Sequence, residues 1–394
     1  MSRKISINKR RKKGKHAPDY FILTFAIALS IFGAIMIFDA SVYKAHTVFG
    51  DQFYFLKSQL IWLLIGTVVA LPFYLIDYKK ILKFAVPAMG FVIAALFLVL
   101  FIGEDINGSK RWFQIGPLPA IQPAEFAKIV IIIYLSSWLA KQEHKYKSLK
   151  DFFKGFASFG AILGIVAILI LLEPDLGTTM VICMTAFAMF FISGKDKIHT
   201  WGSISILLLG IPLAVLAGIL EPYRFERIKT FLDLLLKGEV TDPKGSGYQI
   251  QQILIGIGSG GFWGKGFGQS RQRFGYLVEN TAFTDSIFAV ILEEFGLIGG
   301  IVLIALWTIF LWKGIDIAER VEDKQGRFLA TGVTIWLALQ AFLNMAANVG
   351  IIPLTGIPLP FLTYGGSNTF VTLVGIALLL NVSRHTNGAK KKIL

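Results

Sequence analysis

Ten mostly apolar stretches, each about long enough to cross a bilayer, leave this chain almost no soluble fold to adopt. They run Tyr20–Phe38, Gln59–Ile76, Phe84–Ile102, Pro123–Ala140, Phe156–Leu172, Leu176–Ser193, Trp201–Leu220, Ser286–Trp312, Phe328–Ile352 and Leu359–Val382. A helix needs about 20 apolar residues to span the hydrocarbon core. In lipid each backbone polar group must be paired internally, which selects helices. Composition agrees: 55% of residues are hydrophobic and 16% charged, against roughly 25% charged in soluble domains. The expected fold is an all-α polytopic membrane protein with ten transmembrane helices. The first run follows a basic tail without a small-residue cleavage site and is too long for a signal-peptide core, so it counts as a span. The single cysteine, Cys183, lies inside an apolar run. It reads as a small core hydrophobe, with no disulfide framework.

Orientation follows from lysine and arginine. Of 39 such residues, 26 fall in the two tails and in alternate connections. Both termini are therefore expected in the cytoplasm, with residues 1–18 and 384–394 as basic tails and 19–383 as the membrane domain. The net charge of +14 reads as this bias plus attraction to anionic membrane lipids, and a nucleic-acid partner is not expected.

One connection, residues 221–284 between the seventh and eighth spans, is far longer than the rest and is expected on the extracytoplasmic side. Loops above about 15 residues are usually functional. In "EPYRFERIKTFLDLLLKGEV", Phe225, Ile228, Phe231 or Leu232, and Leu235 recur at helical spacing. That pattern reads as an amphipathic helix on the outer membrane surface. The glycine-dense stretch that follows reads as a re-entrant or interfacial turn, which is tolerated only against protein or water.

Ionisable residues within spans are costly and point to function. Glu125 and Lys128 share one helix face, either as a bundle-facing ion pair or as the lining of an outward cavity. Asp175 suits an N-cap. Lys110 and Arg111 suit a phosphate or lipid headgroups. Asp285 opens the eighth span, as N-cap or as cavity carboxylate. Glu293, eight residues on, is expected to share its cavity, and Glu294 to pair elsewhere. Asn344 and Asn348 suggest hydrogen bonds between helices. Ser367 and Asn368 are expected to serve backbone groups freed by the prolines of "IPLTGIPLPFLTYGGSN". The five histidines are scattered, no metal-spaced cluster exists, and no phosphate-loop motif indicates ATP-driven pumping.

Five stretches, "NGSKRWFQIGPLPAIQPAEFAKI", "EPDLGTTM", "DPKGSGYQIQQILIGIGSGGFWGKGFGQSRQRFGYL", "TDSIFAVILEEFGLIGG" and "LTGIPLPFLTYGGSN", together resemble the SEDS family (shape, elongation, division and sporulation), the bacterial FtsW and RodA proteins. They span about residues 107 to 382 in order. "YRFERIKTFLD" and "GQSRQRFGYL" look more like the division branch, FtsW. The resemblance implies a peptidoglycan glycosyltransferase that polymerises lipid II, the undecaprenyl-pyrophosphate disaccharide pentapeptide. It would act at the outer face of the cytoplasmic membrane, enriched at the septum. A class B penicillin-binding transpeptidase and other divisome membrane proteins are the implied partners.

Asp285 of "TDSIFA" aligns with the family's essential acid in a motif like "PEAHTDFIFA". Glu125 and Lys128 match its helix-four pair, and Asp175 its "PDLG" acid. The sequence departs where Val278 replaces proline, where the spacing from Glu279 is two residues longer, where no histidine precedes the acid, and where Ser286 replaces phenylalanine. In the implied reaction Asp285 is a general base or ligand of a divalent cation, Mg or Mn, with no organic cofactor. Lys110, Arg111, Lys128, Arg271 and Arg273 are the candidate cations for the leaving pyrophosphate. A lipid II flippase, a RodA-type elongation polymerase and a non-catalytic scaffold are the rival readings.

Overall fold

The computed structural model describes residues 17–106, 109–114, 120–142, 148–194, 196–219, 222–238, 247–274 and 281–386, with side chains 209–225 outside that description. Most of both basic tails, together with Val278 and Glu279, lies outside the described residues.

The order is α1 (Tyr20–Phe49), α2 (Tyr54–Leu75), α3 (Tyr78–Ile102, with a 3₁₀ turn at Leu82–Phe84), a hairpin of β1 (Glu104–Ile106) and β2 (Ser109–Trp112), and α4 (Pro123–Lys141). Then come α5 (Leu149–Leu172), α6 (Leu176–Ser193), α7 (Lys197–Ile219), α8 (Pro222–Lys237), α9 (Tyr248–Gly260), α10 (Ile287–Arg320), α11 (Lys324–Asn348) and α12 (Gly366–Ser383). Nine helices are long and apolar enough to cross a membrane among the described residues. The seventh expected span overlaps α7, a helix of 23 residues that is not among those nine.

Helix ends follow local chemistry. Asp19 accepts from Ile22 N at the start of α1, and Gly50 closes it in the left-handed region. Asp323 accepts from Gly326 N to start α11 and is also bound by the Tyr78 hydroxyl at 2.6 Å. Asp19 N donates to Ser383 Oγ at 3.1 Å, which places the start of α1 beside the end of α12. The start of α1 and the end of α12 therefore lie at the same end of the bundle. Trp307, Trp336, Phe25, Phe310 and Phe361 fill its centre, while Leu64, Val86 and Phe91 stand exposed, as lipid-facing side chains do.

The long connection is mostly helical. On α8 the polar side faces the protein: Thr230 and Asp233 are buried while Leu232, Leu235 and Leu236 are exposed. The amphipathic expectation holds, with the leucines turned outward.

The glycine-rich stretch forms a re-entrant hairpin. Its inward arm, α9, has 13 residues, about 20 Å at 1.5 Å per residue, too short to span. It runs alongside the first half of α10 in the same direction: Gln249 Nε2 donates to Ser286 Oγ (3.3 Å) at one end and Ser259 Oγ to Glu293 Oε1 (3.1 Å) at the other. At the tip the hairpin is spliced into a broken helix. Gly296 adopts φ 67°, ψ −167°, so α10 loses the bonds from Leu297 and Ile298 to the carbonyls of Glu293 and Glu294. Instead Leu297 N and Ile298 N donate to Gly261 O (2.9 Å) and Phe262 O (3.3 Å). Lys265 N and Gly266 N donate to the two glutamate carbonyls, each at 3.0 Å. The amides of Leu297 and Ile298 and the carbonyls of Glu293 and Glu294 are thereby paired, as a break inside a membrane requires. Gly264, at φ +81°, is required here because a Cβ would strike the Glu294 carbonyl.

Candidate active site

Asp285 lies at the end of the bundle opposite the start of α1 and the end of α12, where Phe283 packs its ring on Phe55 in the first turn of α2. Three successive carbonyls hold its backbone. Phe283 O accepts from Tyr364 N (2.9 Å) and Thr284 O from Thr363 Oγ1 (3.0 Å). Asp285 O accepts from both Asn344 Nδ2 (2.8 Å) and Asn348 Nδ2 (2.9 Å). Asn344 and Asn348 thus do bond between elements as expected, and their target is the candidate residue itself.

The carboxylate is partly buried. It does not cap α10, whose N-cap Ser286 makes no side-chain cap bond. It accepts from Thr284 Oγ1 at 3.1 Å. The Gln249 amide and the Arg227 guanidinium face it. Burial pushes its pKa up from the ordinary aspartate value, while the Thr284 hydroxyl, the Arg227 charge and the Gln249 amide pull the other way.

The segment from Leu354 to Pro358 forms the opposite wall. Arg227 Nη1 donates to Leu354 O (2.8 Å). A Cβ on Gly356 would lie 3.9 Å from Asp285 Oδ2, and Thr355 O and Ile357 pack on Gly177 at the start of α6. Beside that start, Asp175 caps α6 through Thr178 N (2.9 Å) and accepts from Gln122 Nε2 (3.1 Å). Arg111 donates to the carbonyls of Glu173 (2.5 Å) and Pro174 (2.9 Å). Lys110 is exposed. The buried Glu173 carboxyl is pushed up to about 8 by desolvation and the Asp175 charge, against Arg111.

Glu125 and Lys128 are buried and paired at 2.8 Å, the bundle-facing alternative. They nevertheless connect to the site. Lys128 Nζ donates to Gln340 Oε1 (3.0 Å) and Gln340 Nε2 to Pro358 O (3.0 Å), and Asn344, one turn on, donates to Ile357 O (2.7 Å). One polar stripe of α11 therefore runs from the ion pair to Asp285.

Several expectations need correction. Glu293 does not share the Asp285 cavity: it is fully buried deeper on α10, bound by Lys265 Nζ (2.6 Å), Ser270 Oγ (2.7 Å) and Ser259. Arg273 is not at the site either, being tied to Asp39 of α1 at 2.6 Å, and Arg271 is exposed on the same return strand of the hairpin. Eight residues carry the helix about 12 Å inward, and the hairpin fills that depth with its own cations. Ser367 and Asn368 bond Gln122 N and Gln340 instead of the Pro-rich backbone, which Thr363, Gln340, Asn344 and Arg227 serve. The cation the sequence reading missed is Arg227. It lies in the "YRFERIK" stretch, and its place on the polar face of α8 was the available signal.

Among the described residues no group of three or more metal-binding side chains forms. Asp285 offers one carboxylate, which suits Mg²⁺ bound largely by substrate phosphates and water. An apolar groove of about 490 Å³ between α3 and α5, lined by Gly90, Phe97, Ile165 and Leu169 among others, lies apart from this chemistry.

Fold and site define a polytopic membrane protein with an acid on a clamped backbone and flanking cations at one end of the bundle. The family model FTSW_RODA_SPOVE, described as "Cell cycle protein", matches residues 19–388, and the chain belongs to that family, the SEDS proteins. It is 37% identical over 378 residues to stage V sporulation protein E of Bacillus subtilis, covering 94% of this chain and 98% of the relative. It is also 37% identical to the probable peptidoglycan glycosyltransferase FtsW of Trichlorobacter lovleyi, covering 93% of each. A chain from a peptidoglycan synthase complex superimposes with TM-score 0.74 at 26% identity, covering 93% of this chain and 98% of that one. The Thermus thermophilus RodA crystal structure gives TM-score 0.66 at 24% identity, covering 95% and 99%.

Proposed function

We propose that this protein is a peptidoglycan glycosyltransferase that polymerises lipid II in cell division, with Asp285 as general base. Relatives along nearly its whole length carry the name "probable peptidoglycan glycosyltransferase FtsW". One observation carries the residue assignment. Neighbouring elements hold three consecutive carbonyls around Asp285, yet its carboxylate caps no helix. A fixed backbone with an acid that serves no helix cap is what pre-organised proton transfer needs.

In the reaction the acceptor sugar hydroxyl gives its proton to Asp285. Its oxygen forms a bond to the donor anomeric carbon as the bond to the lipid pyrophosphate breaks. Attack opposite the leaving group inverts an α-linked donor to a β product. Arg227, whose charge acts on Asp285, would meet the charge developing on the pyrophosphate, with Arg111 beside the Glu173 and Pro174 carbonyls and Lys110 exposed next to it. A divalent cation, if required, would be held by Asp285 together with substrate phosphates and water, where it would neutralise pyrophosphate charge. Glu125, Lys128 and Asp175 act by holding that wall in place.

The synthase complex among the structural relatives supports a transpeptidase partner, and the lysine and arginine bias supports cytoplasmic termini and an outward site, at the septum in dividing cells. The test is lipid II polymerisation by purified protein with its transpeptidase partner. Asp285→Asn is expected to lower polymerisation by at least about 100-fold while the protein remains folded. Wild-type polymerisation by that variant would remove Asp285 as the base, and lipid II flipping without polymerisation by the unmodified protein would remove the polymerase reading.

A further inference from the structure

Two turns below Asp285, a second cluster joins the re-entrant hairpin to α1 and α10. It holds three acids, Asp39, Glu293 and Glu294, and two bases, Lys265 and Arg273. The acids are each less than 5% exposed. Four of these charges are matched. Glu293 pairs with Lys265 at 2.6 Å, and Asp39 Oδ1 accepts from Arg273 Nη1 at 2.6 Å. Glu294 is the acid left over. Its Oε1 accepts from Ser270 N at 3.2 Å. Its Oε2 and Asp39 Oδ2 are both buried with no donor, and the two carboxyl groups stand within hydrogen-bonding reach of each other.

Two buried carboxylate oxygens cannot face each other bare. A buried net charge is expensive, and unpaired acceptors add their own desolvation penalty. No third carboxylate or imidazole joins them to complete a metal site among the described residues. One proton settles both deficits: it neutralises the odd charge and donates from one acid to the other. We propose that Asp39 and Glu294 are positioning residues that share a single proton, and that this acid pair joins α1 to α10 and so forms the seat of the hairpin, whose Arg273 bonds Asp39 and whose Ser270 N bonds Glu294. Through α9, whose Gln249 faces Asp285 and bonds Ser286, the seat holds the catalytic end of the hairpin in register. The inference concerns a part of the molecule that the polymerase reading does not use.

Amides distinguish this arrangement from an ordinary ion cluster. A glutamine at 294 keeps the shape, donates where the shared proton did and leaves two acids against two bases. Glu294→Gln is therefore expected to melt within about 1 °C of wild type in detergent and to keep at least half its polymerisation rate. Glu294→Ala leaves Asp39 Oδ2 without a donor and opens a void. It should melt roughly 3 to 8 °C lower and lose most polymerisation. Glu293→Gln should behave like Glu294→Ala, because Glu293 acts as an ionised partner of Lys265. The pair of glutamine variants is decisive, and the melting readout stands whether or not the chain proves to be a polymerase. Glu294→Gln melting as low as Glu294→Ala would show that position 294 needs a charge and would overturn the shared proton. Glu294→Ala melting like wild type would overturn the seat.

Discussion

Asp285 and Glu293 lie eight residues apart, one just before α10 and the other two turns inside it, and both are acids with hydroxyl and cationic neighbours. Their surroundings nevertheless differ in kind. Around Glu293 the side chain is fully engaged by Lys265, Ser270 and Ser259, and the backbone is open enough to accept a spliced hairpin. Around Asp285 the backbone is fully engaged by Tyr364, Thr363, Asn344 and Asn348, and the side chain is left with one hydroxyl, one amide and a nearby guanidinium. An acid whose carboxylate is fully bonded holds structure together. An acid whose backbone is fully bonded is available for chemistry. Being an acid at or inside a membrane helix does not by itself separate the two, since each is anomalous there.

The comparison predicts that substitutions at the upper end remove activity and spare the fold, and that those at the lower end do the reverse. The largest effect is expected for Asp285→Asn, a fall in polymerisation of about 10²- to 10⁴-fold. Its melting temperature should stay near wild type, and a large drop would break the comparison. Arg227→Ala follows, lowering kcat about 100-fold, read in the same assay. At the lower end, Gly264→Ala forces a Cβ onto the Glu294 carbonyl from a left-handed backbone. It should cost about 2–4 kcal/mol of stability, with activity falling only in step with the folded fraction.

Two smaller effects concern pH. Burial raises the pKa of Asp285, and a base must be ionised to act. The acidic limb of the rate profile should therefore lie above the ordinary aspartate value of about 3.9. Arg227 favours the ionised form, so Arg227→Ala should move that limb to still higher pH, and an unmoved limb would detach Arg227 from the site. Glu173, pushed up to about 8, keeps a proton when folded that the unfolded chain gives up near the ordinary glutamate value. Its contribution to stability is present at low pH and is lost as pH rises through about 8. Glu173→Gln should flatten that slope in pH-dependent melting.

Much of this was legible in order along the chain. Apolar runs located the spans, Pro123 marked the start of α4, and the absence of helix signals over "IPLTGIPLPFL" marked the broken approach to α12. Asp285, the Glu125–Lys128 pair and the Asp175 cap were visible as acids and bases where lipid should exclude them. Glu293 was misplaced because helix periodicity says which way a side chain points but not what arrives to meet it. Lys265 and Ser270 come from a hairpin whose depth depends on long-range pairing. Arg227 was passed over for the same reason: on sequence it is one of several loop cations, and only the fold lays its helix across the Leu354 carbonyl.

The sequence by itself determined that the chain is a helical membrane protein with charges it cannot afford to leave idle, because hydropathy and ionisation are properties of single residues and short runs. Which charge neutralises which, and which is left over for chemistry, was decided only by tertiary structure. Pairing inside a low-dielectric bundle depends on contacts between segments as far apart as Asp39 and Arg273, 234 residues along the chain.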